Sequence, residues 1–275
     1  MPDDTDTRST AERREMPPIG IGTWQNTNPE ECRNAVGTAL ELGYRHVDTA
    51  QAYDNEEYVG DGIAAADVDR EDIFLATKVW IDSLEPVGVR RTTEASLDRL
   101  GVEYVDLLYV HWPADTYVPD RTLPTFEELR ADGLIEHVGV SNFEPEQLER
   151  ARSVLDVPIF ANQVEMHPLL QQTELREYMA DTDIELVAYS PLARGAVFDV
   201  PEISEIADEH GVSEAQVSLA WLREKGATPI PKATTEEHIA DNWESLDLAL
   251  DSAEIEVIDD LDRTERQVDP DFAPW

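Results

Sequence analysis

The chain has 275 residues, with 21 Lys+Arg against 60 Asp+Glu and a formal net charge of −39. That balance leaves no room for the basic patch that nucleic acid or an anionic membrane requires, while 41% hydrophobic residues suffice for a substantial core. Apolar runs recur throughout, so the carboxylates read as a solvated, salt-adapted surface of the kind halophile proteins carry, not as disorder.

Residues 1–15 (MPDDTDTRSTAERRE) lack the apolar core of a signal peptide and are expected to be a flexible polar lead-in to a fold spanning 16–275. Gly20-Ile21-Gly22 lacks the third glycine of a dinucleotide-binding turn. Asn28-Pro29-Glu30-Glu31 supplies the N-cap, first-turn proline and acids of a helix. That helix puts Ala35, Val36, Ala39 and Leu40 on one face and stops at Gly43. A first strand is predicted over Tyr44–Thr49. Ile73–Thr77, Val105–His111, His137–Ser141, Ile159–Val164, Ile184–Ser190 and Thr228–Lys232 follow, with a weaker eighth near Leu246–Leu248. Ser213-Glu214-Ala215-Gln216 has capping-box spacing before another helix, and Gly226 fits its exit. A lone Cys32 excludes a disulfide framework or a Cys-based zinc site, and no apolar run reaches membrane-spanning length. A monomeric, cytoplasmic protein is expected.

Eight strand–helix alternations over roughly 250 residues match a single-domain parallel (β/α)8 TIM barrel. In that fold the chemistry sits at the C-terminal ends of the strands, and polar residues stand at nearly every predicted exit. They are Asp48 (with Tyr53 five residues on), Lys78, His111, Ser141-Asn142, Gln163, Tyr189-Ser190 and Lys232. Singly, each has a plain structural reading: Asp48 as a cap, Lys78 as its salt-bridge partner, His111 as a near-core histidine.

Together, Asp, Lys, Tyr and His suit carbonyl reduction, which needs hydride at carbon and a proton at oxygen. A tyrosine has a pKa of about 10; a neighbouring lysine ammonium favours its phenolate and lowers that value. A carboxylate holds the lysine in place, and a histidine can donate to the carbonyl oxygen. The hydride must come from a cofactor.

Eight stretches in unbroken order carry a family resemblance: GIGTW (20–24), GYRHVDTAQAYDNEEYVG (43–60), ATKVW (76–80), DLLYVHWP (106–113), GLIEHVGVSNF (133–143), NQVEMHP (162–168), AYSPLARG (188–195) and PIPKATTEEHIADN (229–242). The sequence resembles an aldo-keto reductase. The resemblance implies a catalytic tetrad of Asp48, Tyr53, Lys78 and His111, with Tyr53 as general acid and NADP(H) across the barrel mouth. It further implies that Ser141, Asn142 and Gln163 bind the carboxamide and that Tyr189 stacks on the nicotinamide. Thr23, Ser190 and Leu192 would follow the ribose and pyrophosphate, Lys232 would reach the adenosine phosphate, and Asp241 and Asn242 would lie near the adenine.

Two departures bear on cofactor choice. Ala233 stands where the family commonly has serine, and His238 where it commonly has arginine, the better phosphate ligand. Glu236 and Glu237 add negative charge nearby. Weaker NADPH preference than the family norm, with appreciable NAD(H) use, is therefore expected. Trp24, Trp80 and Trp112 are expected to wall a pocket for a small aldehyde or ketone, completed by the loop Pro113–Pro124 and the tail Asp269–Trp275. His46 and His167 are expected to be structural. Two rival readings are a metal-dependent hydrolase using His46, Asp48, His111 and His167, and a non-catalytic cofactor-sensing subunit. The first leaves Lys78 and Tyr53 without a role, and the second leaves the intact tetrad unexplained; no metal is expected.

Overall fold

Eight parallel strands lie side by side in sequence order: β1 (Ile21–Gly22), β2 (His46–Asp48), β3 (Phe74–Val79), β4 (Val105–Val110), β5 (Ile135–Ser141), β6 (Ile159–Glu165), β7 (Glu185–Tyr189) and β8 (Ala227–Pro229). The computed structural model describes residues 16–261 and 263–275, so the expected lead-in 1–15 lies outside the described residues. The sheet closes on itself. Gly20 N–H donates to Pro229 O and Gly22 N–H to Pro231 O, each at 3.0 Å, and Gly22 bridges Lys232 in parallel. Closure leaves no strand edge open and makes the single α/β domain a (β/α)8 barrel.

The period-two alternation of each strand sorts its residues into two cores. Phe74, Leu107, Tyr109, Phe160 and Ile230 fill the barrel interior, while Val47, Leu75, Leu108, Val140 and Val164 face the helices outside. The predicted helix signals act as read. Asn28 Oδ1 accepts from Glu31 N–H at 3.1 Å, helix Pro29–Leu42 buries Ala35, Val36, Ala39 and Leu40, and Gly43 ends it at φ 120°. Ser213 Oγ caps helix Glu214–Glu224 at Gln216 N–H, but the Gln216 side chain turns to Asp241 instead of completing the box.

Two strand expectations are corrected. Residues 246–248 are not a strand: Ser245–Asp247 is a 3-10 turn that continues helix Glu236–Glu244, with Ser245 Oγ donating to Asn242 O. The missing strand is β1, within the Gly-Ile-Gly segment. Its glycines are needed for close approach, because a Cβ on Gly22 would meet Ile230 O at 2.7 Å and one on Gly20 would meet the His46 ring at the same distance. Tyr44–Thr49 therefore contains the second strand of the barrel, not the first.

Candidate active site

Asp48 ends β2, and the chain then turns back through a 3-10 turn, Gln51–Tyr53, closed by Asp54 in the left-handed region (φ 54°). This brings the Tyr53 ring over the mouth. Asn55 secures the turn: its amide donates to Thr23 O (2.8 Å) and Asn26 O (3.1 Å), and its oxygen accepts from the Thr49 hydroxyl (3.0 Å). Lys78, on β3, is fully buried. Its ammonium donates to Asp48 Oδ1 and to Thr49 O (2.8 Å) and lies 3.4 Å from Tyr53 Oη. The other Asp48 oxygen accepts from Gln163 Nε2 at 2.7 Å, so both carboxylate oxygens are engaged. His111, one residue past β4, stands edge-on to Tyr53 (ring centroids 5.7 Å apart) and to Trp80 (5.0 Å). The four predicted tetrad residues thus meet in one place.

Burial governs the protonation of this cluster. Desolvation pushes the Tyr53 phenol well above its usual range, and the Asp48 charge adds to the rise. The expected lowering by Lys78 is outweighed, so the phenol stays protonated. Desolvation and then Lys78 hold His111 well below the ordinary histidine range, leaving a neutral imidazole whose Nδ1 is buried without a partner. Burial also lowers Lys78, opposed by Asp48 through charge and hydrogen bond. A buried pair of this kind contributes little net stability, but losing one partner strands the other at about 3–5 kcal/mol.

A cleft of about 1210 Å³ opens above this cluster. Ser141, Asn142, Gln163 and Tyr189 line it and are tied to one another. Ser141 Oγ donates to Gln163 O (2.8 Å), Asn142 Nδ2 donates to His111 O (3.1 Å), and Tyr189 Oη donates to Asn142 Oδ1 (2.9 Å). Thr23, Ser190, Leu192 and Lys232 continue the lining along β1, β7 and β8. The cleft stops there. His238 is exposed in the first turn of helix Glu236–Glu244, and Asn242 is buried behind it. Asp241 is not free for a ligand: it accepts from Ser213 Oγ and Gln216 Nε2, both at 2.7 Å, and joins two helices. The polar groups that do line the cleft, with a lysine at one end and an amide-rich wall at the other, fit an extended nicotinamide nucleotide.

Trp24, Trp80 and Trp112 all line the cleft, as expected, and so does the tail through Gln267–Pro270 and Phe272. Phe272 packs edge-on to Trp112 (5.4 Å) and Trp80 (6.1 Å). The loop 113–124 does not reach it: the chain enters helix Pro119–Ala131 there, and Thr122 and Leu123 are buried in the outer layer. Three features escaped the sequence. Arg194 lies over the Trp24 ring at 4.7 Å. Gln51 Oε1 accepts from Trp80 N–H (3.3 Å) while its amide donates to Ser96 Oγ (3.2 Å), which fixes the tryptophan loop. Glu165 is buried under the tail. The only local sign of it was the one charged residue in a strand buried throughout.

The metal reading finds no such convergence. His46 lies inside the barrel edge-on to Phe74 (5.3 Å), His167 bonds to Glu165 (3.1 Å), and no three His, Cys, Asp or Glu among the described residues are placed to share an ion.

The model of the Aldo/keto reductase family matches residues 18–263. The chain belongs to the aldo-keto reductase family. It is 40% identical over 265 residues to methylglyoxal reductase DkgA of Escherichia coli strain K12, covering 93% of this chain and 94% of that protein. It is 39% identical over 252 residues to glyoxal reductase of Bacillus subtilis strain 168, covering 92% and 91%. Among solved structures, a putative 2,5-diketo-D-gluconic acid reductase B superposes with a TM-score of 0.91 at 36% identity over 94% of this chain and 92% of that one. A Bombyx mori aldo-keto reductase in complex with NADP gives 0.87 at 32% identity over 92% of each chain. This aldo-keto reductase is an NAD(P)H-dependent oxidoreductase of aldehydes and ketones.

Proposed function

We propose that Tyr53 is the proton donor in the NADPH-dependent reduction of small, uncharged aldehydes and α-dicarbonyls, with Lys78, Asp48 and His111 completing the catalytic set. The observation that carries this is the Tyr53 hydroxyl 3.4 Å from a buried Lys78 ammonium that Asp48 holds in turn. A nicotinamide held along this cleft would supply the hydride for the carbonyl carbon. As the oxygen gains alkoxide character it takes the Tyr53 proton, and Lys78 faces the phenolate that remains. Neutral His111, as the Nε2–H tautomer, donates a hydrogen bond to the same oxygen and orients it. Solvent then reprotonates Tyr53.

Charge and size support the substrate class. Aromatic rings wall the substrate half, and the carboxylates Asp54, Asp82 and Asp269 rim it. Of the lining bases, Lys232 follows β8, and Arg194, after β7, lies over the Trp24 ring. Methylglyoxal and glyoxal, for which the two bacterial relatives are named, are compact and uncharged. With NADPH, kcat/KM for methylglyoxal should exceed that for glyoxylate at least tenfold; equal values would contradict a neutral-substrate site.

Ser141, Asn142, Gln163 and Tyr189 would hold the nicotinamide end, Thr23, Ser190 and Leu192 the middle, and Lys232 the 2′-phosphate. His238, Asp241 and Asn242 stand beyond the cleft, so the adenosine end rests chiefly on Lys232. NADH use within a few hundredfold of NADPH follows; a larger gap in kcat/KM would exclude it. The acidic surface is salt-adapted in this proposal, with self-repulsion lowering the melting temperature as KCl is removed. A melting temperature that rises on desalting contradicts that. A cytoplasmic monomer is part of the same proposal.

A further inference from the structure

We propose that Glu165 is a positioning residue that docks the C-terminal strap, Gln267–Trp275, over the barrel mouth and so sets the affinity for the carbonyl substrate. The proposal rests on the cleft being the reductase site described above.

Glu165 is the last residue of β6 and its side chain is fully buried. A carboxylate in that position is tolerable only if its oxygens are satisfied. The strap supplies most of that satisfaction. Gln267 N–H donates to Oε1 at 2.6 Å and Val268 N–H to Oε2 at 2.9 Å, and His167 Nε2 lies 3.1 Å from Oε1. Two successive backbone donors thus fork onto one carboxylate, an arrangement that needs an acceptor on both oxygens. An amide in its place keeps the shape but accepts on one side only and turns an NH2 group towards the other donor.

Beyond this clamp the strap meets the barrel chiefly through rings, Phe272 against Trp80 and Trp112 and Trp275 against Trp112 (5.5 Å). Glu265 N–H donates to Leu169 O (2.8 Å) just before it, and Arg266 lies over the Trp275 ring at 3.7 Å. Its two large rings, Phe272 and Trp275, each keep 39% of their surface exposed, so apolar burial alone docks it weakly. Gln267, Val268 and Phe272 nevertheless line the cleft. The anchor is therefore polar and buried, and the part it places is the substrate wall. Glu165 makes no hydrogen bond to Asp48, Tyr53, Lys78 or His111 among the described residues, so it acts through the strap. It does pair with Tyr189 in the β6–β7 register, which makes cofactor affinity a necessary control.

The test is Glu165→Gln in the full chain, assayed with methylglyoxal and NADPH. Expected are a KM for methylglyoxal raised at least tenfold, kcat reduced less than threefold, and an NADPH Kd within twofold of wild type. A kcat loss with KM unchanged, or a parallel loss of NADPH affinity, would overturn the proposal. Phe272→Ala adds a cycle: it should raise KM severalfold in the wild type and less than twofold in Glu165→Gln, whereas full multiplication of the two effects refutes a shared route. Should Glu165→Gln not fold, Val268→Pro deletes one of the donors without touching the barrel and should give the same KM rise. An unchanged KM there counts against the strap. Wild-type turnover of methylglyoxal tests the reductase function separately. Hydrogen exchange reads the clamp whatever that turnover is: the Gln267 and Val268 amides should lose protection in Glu165→Gln, and retained protection rejects the docking role.

Discussion

The two ends of the cleft are built differently. At the tetrad end, Asp48, Lys78, Thr49 and Gln163 are buried and bonded to one another before any ligand arrives. At the end proposed to take the 2′-phosphate, Lys232 and His238 stand in solvent, and Asp241 is committed to Ser213 and Gln216. Stabilising charge that develops in a transition state requires donors already fixed in place. Holding a phosphate requires only a cation within reach, and a solvated lysine serves. In the proposed function the tetrad end is therefore preorganised, and cofactor preference rests on the looser end.

Lys78→Met attacks the rigid end hardest. It strands Asp48 in the barrel and should cost about 3–5 kcal/mol of stability in urea unfolding, along with activity at the detection limit. A variant as stable as the wild type would mean that the pair is not the buried unit it looks to be.

The same interior carries a pH signature. Desolvation lowers His46 from 6.5 to about 4. As pH falls through 6.5 the unfolded chain takes up a proton that the folded chain refuses until about 4. Stability is thus complete above 6.5 and declines towards 4, by about 3 kcal/mol from this residue. His46→Gln should flatten that part of the acid limb in urea titrations at pH 7 and 4.5; an identical slope would show that His46 titrates normally in the fold.

The open end should respond more gently. His238→Arg adds a guanidinium near the phosphate and is expected to raise the NADPH/NADH ratio of kcat/KM about tenfold, the scale of one charge-assisted hydrogen bond. No change would place residue 238 out of reach of the 2′-phosphate.

Legibility in the sequence follows the same divide between local and long-range causes. Asp48, Lys78, His111 and Gln163 were readable because each interrupts or ends an apolar run, and the caps at Asn28 and Ser213 act within one helical turn. β1 was not readable, since two residues have no period and become a strand only by pairing with β2 and β8. The loop 113–124 does not line the cleft because helix Pro119–Ala131 begins within it, a start the sequence marks only with Pro119. Asp241 shows no local sign of its bond to Ser213, which lies 28 residues away. Glu165 shows no local sign of its strap partners, Gln267 and Val268, because they lie more than 100 residues downstream.

The most direct test of the preformed tetrad is Tyr53→Phe, which removes one oxygen and leaves Lys78 with Asp48 and Thr49. NADPH affinity, followed by quenching of protein fluorescence, should stay within twofold of wild type. The single-turnover rate with methylglyoxal should fall by about 10³-fold, within the range expected for a lost general acid. A rate within tenfold of wild type, with NADPH bound as tightly, would mean that the proton comes from elsewhere.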